Sequence, residues 1–193
     1  MHPLQRHDLL SLEAYAAQRA DFRARVMAHK KHRSVQVGAH LTLAFEDRLT
    51  IQYQIQEMLR IERIFEADGI EEELDAYNPL IPDGRNLKAT LFIEYPDAEQ
   101  RKRELARLGG LEHGITLTVG KHKPVTAVAD EDMDRSTEEK TAAVHFLRFE
   151  LSDSMAEDWR GGAAVKLAST HPLMREEVSL PETVRQALAE DFD

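Results

Sequence analysis

An α+β fold, an antiparallel curved sheet or partly open barrel with helices at the N-terminus, between hairpins and at the C-terminus, is the class that three features of the sequence predict. Several short runs alternate apolar with polar residues, the period of a half-buried strand. Other runs repeat apolar residues at helical spacing, and residues that favour turns separate the two kinds. Neither an internal repeat nor a linker interrupts the pattern, so residues 1–193 read as a single domain.

The elements follow in chain order. Leu12, Tyr15, Ala16, Phe22, Val26 and Met27 predict a helix over 11–28 with Ser11 as its N-cap. Over 39–56, Leu41, Leu43 and Phe45 and then Ile51, Tyr53 and Ile55 alternate with polar or small residues around Glu46-Asp47-Arg48, which predicts a β-hairpin. From Ile55 the period turns helical, with Met58, Leu59, Ile61 and Phe65 on one face, and a second short helix follows over 70–77 until Pro79, Pro82 and Gly84. Leu87, Ala89, Leu91 and Ile93 predict a strand, and Pro96-Asp97 opens a helix that Gly109-Gly110 closes. Ile115, Leu117 and Val119, the turn at 120–123 and the return at 125–129 make a further hairpin. The acidic run at 130–139 reads as a solvated loop before a strong strand over 143–151. A strand over 163–169 and a helix over 182–192, with Ser179 as its cap ahead of Pro181, complete the chain.

Composition narrows the function classes. The chain carries 25 Lys and Arg against 35 Asp and Glu, a formal charge of −10, which argues against a general nucleic-acid binder because phosphate binding needs a concentrated positive field. The absence of cysteine removes disulfides, thiolate metal sites and cysteine nucleophiles. Neither a signal peptide nor a membrane span is readable, so a cytoplasmic location away from membranes is expected. Residues 114–122 approach a phosphate-loop pattern, but the spacing is one too long and His122 replaces the hydroxyl residue. Asp130, Asp132 and Asp134 imitate a calcium loop, but Arg135 stands where glycine is needed and Thr141 where a glutamate belongs. Hydrolase, zincin and dinucleotide motifs are absent.

The stretch FEDRLTIQYQIQEMLRIE at 45–62, with ATLFIE at 89–94 and AVHFLRF at 143–149, resembles the hallmark segments of an uncharacterised bacterial family, a domain of unknown function. The resemblance runs along nearly the whole chain. It implies genes that neighbour rubrerythrin and iron–sulfur proteins, and through them a link to iron handling or oxidative stress, with a protein of iron or peroxide metabolism as partner. It assigns no role to any residue. The chain lacks Glu-x-x-His, so it does not carry the ligand motif of ferritin-like helices.

Candidate sites come from the residues alone. With Ile55 at zero on a helical wheel, Glu62 falls at about 340°, on the apolar face, and is expected to be buried. A buried carboxylate is paired, protonated or metal-bound, and Arg148 is the available ion-pair partner. His145 shares a strand face with Leu147, Phe149 and Leu151, which makes it a core histidine or a ligand. Glu62, His145, Glu57 and His113 form the candidate metal set, of the nitrogen and carboxylate kind that iron, manganese or zinc accepts. Arg19, Arg23, Arg25, His29, Lys30, Lys31, His32 and Arg33 concentrate positive charge at a helix end. Of these, Arg23, Arg25, Lys30, Lys31 and Arg33 form the candidate patch for an anion or an acidic partner, with favourable placement at the helix C-terminus as the structural alternative.

The reading reached is an accessory or binding protein of iron or oxidative-stress metabolism that takes a metal. A small metal-dependent enzyme with a Glu/His site is the alternative, and a nucleic-acid-binding regulator comes third. The reaction, if any, stays open, and exposed strand edges would permit a homodimer.

Overall fold

A computed structural model describes residues 2–129 and 141–193. Helix α1, Leu12–Lys30, starts as expected at Ser11, whose hydroxyl accepts the Ala14 N–H at 3.2 Å. Strands β1, Ser34–Val37, and β2, Leu41–Phe45, form a hairpin whose turn contains Gly38 at φ +65°. A Cβ at Gly38 would stand 2.4 Å from the Glu176 side chain, so only glycine lets that neighbour lie over the turn.

The expected second arm of the first hairpin is instead part of one helix, α2, Arg48–Glu62. Ile51, Ile55 and Leu59 are all buried and spaced by four, so they satisfy a helical stripe as well as the alternation that suggests a strand. Local chemistry decides between the two. Asp47 accepts the Thr50 N–H at 2.9 Å and its own N–H donates to the Thr50 hydroxyl at 2.9 Å, a reciprocal cap. The helix stops at Glu62, so Ile61 and Phe65 are exposed rather than on an apolar face. Arg63 closes it in the left-handed conformation at φ 57°, with the Ile64 N–H on the Leu59 carbonyl. Glycine suits that position better than a residue with a Cβ. Arg63→Gly is therefore expected to raise stability by about 0.5–1 kcal/mol, read as a higher midpoint in urea.

Helix α3 spans Ala67–Tyr77, strand β3 Asn86–Ile93 and helix α4 Ala98–Leu105, the last capped by Asp97 as expected. Strands β4, Ile115–Val119, β5, Val125–Thr126, and β6, Val128–Ala129, precede β7, Val144–Glu150. Helix α5, Asp153–Arg160, strand β8, Val165–His171, strand β9, Met174–Ser179, and helix α6, Glu182–Ala189, follow. Ser179 lies within β9, and Pro181 takes the cap position of α6. The acidic run at 130–139 lies outside the described residues.

Two antiparallel sheets result, β1-β2-β3-β7-β6 and β5-β4-β8-β9. Residues 125–129 serve both: Leu117 pairs with Val125 in one sheet, and Val128 pairs with Arg148 in the other. At the opposite side β9 approaches β1, where Glu176 covers Gly38. The sheets thus curl round one core without closing into a barrel. Leu41, Leu43, Leu87, Leu91, Leu117, Leu167 and Phe149 fill it. Trp159 closes one end: it is fully buried, donates from Nε1 to the Arg185 carbonyl at 2.8 Å, and meets Phe192 edge to face at 5.4 Å. Helices α1, α2 and α3 carry two smaller cores of their own, one around Ile55 and Leu59 and one around Tyr15, Phe22 and Val26.

Candidate functional site

The four expected metal residues do not converge. Glu57 joins α2 to α1: it accepts the Tyr15 hydroxyl at 2.7 Å and both Arg19 Nε at 2.7 Å and Nη2 at 2.9 Å. The Arg19 guanidinium, with help from the Tyr15 hydroxyl, holds the Glu57 carboxyl down at about 2 against the cost of burial. Burial and the hydrogen bond to Glu57 push the Tyr15 hydroxyl above its ordinary range. This is a structural clasp. Its contribution is present above the usual carboxylate pKa of 4.5 and is lost as pH falls toward about 2. Glu57→Gln is expected to cost about 1.5–3 kcal/mol at neutral pH and to flatten the acid limb of the stability profile, as chemical denaturation at several pH values would show.

Glu62 is exposed at the end of α2 and does not pair with Arg148, because the helix ends before its apolar face is completed. Arg148 instead contacts Glu150 on its own strand. Among the described residues no group of three or more His, Asp or Glu side chains is placed to hold a metal ion.

His145 is buried, as its strand face predicts, opposite Leu91 across the β3–β7 pairing. The carboxylate beside it is Glu112, which the periodicity does not mark. Glu112 belongs to the short turn Leu111–Gly114, a 3₁₀ helix with no extended period to assign a face. Glu112 is 1% exposed, Thr141 1% and His145 0%. The Thr141 hydroxyl donates to Glu112 Oε2 at 3.1 Å, and His145 Nε2 lies 2.7 Å from that hydroxyl, 3.0 Å from the Ala142 carbonyl and 3.8 Å from Glu112 Oε2. A carbonyl only accepts, so the hydrogen bond to Ala142 places a proton on Nε2. The result is a relay of imidazole, hydroxyl and carboxylate inside the fold, with the exposed His113 3.5 Å from Glu112 Oε1. Of the expected set, His145 and His113 thus flank a third residue, whereas Glu57 and Glu62 are engaged or placed elsewhere.

The basic run divides. Arg33 is 2% exposed and belongs to the interior, not to a surface patch. Its guanidinium contacts the Asp191 carboxylate, lies 3.5 Å from Asp47 Oδ2, and donates to the carbonyls of Phe45, Glu46 and Ala187 at 3.2, 3.2 and 3.3 Å. Asp47 also takes His29 Nε2 at 2.5 Å, and Arg33, the Thr50 backbone and His29 together hold its carboxyl low despite burial. Burial instead pushes Asp191 up to about 6, against the pull of Arg33. Arg23, Arg25 and Lys31 are exposed and Lys30 is half-buried, and none of the four makes an ion pair among the described residues. Arg25 lies over the Phe22 ring at 4.7 Å. No helix among the described residues is long and apolar enough to cross a membrane.

A family model described as a protein of unknown function, DUF3501, matches residues 3–192. A solved structure, that of a novel protein of unknown function from Burkholderia pseudomallei K96243, is similar over 100% of both chains, with 53% identity and a TM-score of 0.95. No curated protein matches.

Proposed function

The chain belongs to the DUF3501 family of proteins of unknown function, and we propose that it is an accessory binding protein of iron or oxidative-stress metabolism that holds a divalent metal ion between Glu112 and His145. One observation carries the reading: a carboxylate, a hydroxyl and an imidazole, each 1% exposed or less, are gathered within hydrogen-bond reach inside the fold. Burying groups that could be replaced by well-packed apolar residues carries a cost in stability, so their presence favours a use beyond packing. The 3.8 Å between Glu112 Oε2 and His145 Nε2 is a separation that two ligands of one ion can keep when each bond is about 2.0–2.2 Å. The ion would take the place of the Nε2 proton, with Thr141 and His113 beside it. Iron, manganese and zinc accept this donor pair. The link to iron metabolism rests on the gene neighbourhood that the family resemblance implies. The cations toward the C-terminal end of α1 and just past it, Arg23, Arg25, Lys30 and Lys31, are the surface offered to an acidic protein partner.

Elemental analysis of tag-free protein purified without chelators, and again after incubation with Fe(II), Mn(II) or Zn(II), tests the reading. One ion per chain is expected, bound with release of a proton and lost in Glu112→Gln and His145→Gln variants that keep their circular dichroism. A wild type that takes up no ion, or variants that keep it, would overturn the proposal.

A further inference from the structure

A cleft of about 410 Å³ opens between the start of β3, helix α5 and the last residues of the chain, beyond the end of β7 opposite His145. Leu151 and Ala156 give it an apolar lining, and Arg85, Asp153 and Glu157 line it with charge. Among the described residues none of these three charged side chains makes a hydrogen bond or an ion pair. Their neighbours are engaged. The Asp83 carboxylate accepts the Arg85 N–H at 2.9 Å and Asn86 Nδ2 at 3.0 Å, which fixes the turn into β3. Arg160 Nη2 donates to the Asp193 carbonyl at 2.5 Å.

What remains is one disengaged guanidinium and two disengaged carboxylates, the latter one helical turn apart on α5, round an apolar lining. A dicarboxylate would meet Arg85 but would be repelled by Asp153 and Glu157. A diamine would satisfy the two acids and leave Arg85 without an anion. A molecule with a carboxylate at one end, a cation at the other and methylenes between answers all three charges and the apolar lining. We propose that the cleft binds a free basic amino acid, its carboxylate on Arg85, its α-ammonium toward the Asp83 carboxylate that lines the cleft beside Arg85, its side-chain cation on Asp153 and Glu157, and its stem against Leu151 and Ala156. Arg85 suits the carboxylate because a guanidinium can offer two parallel N–H groups. The volume is that of an ordinary small-molecule site. The inference does not rest on the metal reading, since the cleft shares no residue with the Glu112 cluster.

The test is a titration of ¹⁵N-labelled protein with L-lysine and L-arginine, with cadaverine and hexanoate as one-ended probes. Saturable amide shifts confined to the cleft are expected with at least one of the two amino acids. Arg85→Ala, and Asp153→Asn with Glu157→Gln, should each weaken that binding about five- to tenfold, and both one-ended probes should bind at least as much more weakly. The three side chains are exposed, so the variants are expected to fold, which the dispersion of the same spectra verifies. Absence of saturable shifts with both amino acids, equal affinity in the variants, or equal binding of cadaverine or hexanoate would each overturn the proposal. Metal content is read in parallel and is expected to be the same in wild type and cleft variants.

Discussion

Replacing Arg33 by methionine is expected to lower folding stability by about 3–5 kcal/mol, read as a large fall in the urea midpoint. The side chain is 2% exposed and is the shared partner of Asp47, Asp191 and three backbone carbonyls. Methionine fills similar volume but leaves Asp191 without a counter-charge, Asp47 with His29 alone, and three carbonyls without the guanidinium donor. Arg33→Lys should rescue only part of the loss, because a single ammonium cannot reach the spread of partners that a guanidinium fork spans. The pH dependence has a definite sign. Asp191 is raised in the fold from 3.8 to about 6, so its contribution is fully present below 3.8 and is lost as pH rises through about 6. Asp47, held low, contributes in the opposite sense: its share is present above 3.8 and disappears toward lower pH. Asp191→Asn should therefore gain on the wild type as pH rises from 3.8 through about 6 and keep that gain above it. A constant difference between the two across that window would show that burial of Asp191 does not govern its protonation.

Trp159→Ala is expected to cost a similar amount, about 3–5 kcal/mol, because it empties the largest fully buried side chain from the end of the sheet core. Its contact with Phe192 and its bond to the Arg185 carbonyl tie α5 to the C-terminal segment. Trp159→Phe keeps a ring in place and removes the indole donor, so a loss nearer 1–2 kcal/mol is expected. Thermal unfolding of the three proteins measures both effects. Should the alanine variant unfold at the wild-type temperature, the two helices would have to repack across the gap.

The parts of the fold that could be read from sequence are those where burial repeats. Strand β7 is the clearest: His145, Leu147 and Phe149 are all buried and evenly spaced, which is why the position of His145 in the core was legible. Strand β9, sequence MREEVS, lies at a sheet edge with mostly exposed residues, so alternation had nothing to mark. Strand β1 has an alternating pattern but only four residues, too few to stand out beside a strongly basic helix end. Helix α5 leaves little trace in the sequence although Ser152 accepts the Met155 N–H as a cap, since eight residues with two buried positions carry little period. The site divides in the same way. His145 follows from its strand, whereas Glu112 lies in a four-residue turn bracketed by Gly110 and Gly114. A Cβ at Gly114 would come within 3.2 Å of the His171 backbone nitrogen, a tight contact that makes this glycine the local sign of close packing. Arg33 looks like surface charge in the sequence because a run of cations gives no indication that one member is matched by an aspartate far away in sequence.

That distance governs the order in which the molecule can assemble. Asp191 leaves the ribosome 158 residues after Arg33, so until then the arginine has no access to the carboxylate it meets in the folded chain. The first hairpin and α2 can form early with Asp47 beside Arg33, but the contact to Asp191 forms only when the segment that carries it docks. Docking of the segment around Asp191 therefore comes after the first hairpin and α2 can form, and a nascent chain stalled before residue 191 would hold Arg33 against Asp47 alone, where the folded chain adds a second carboxylate and the Ala187 carbonyl.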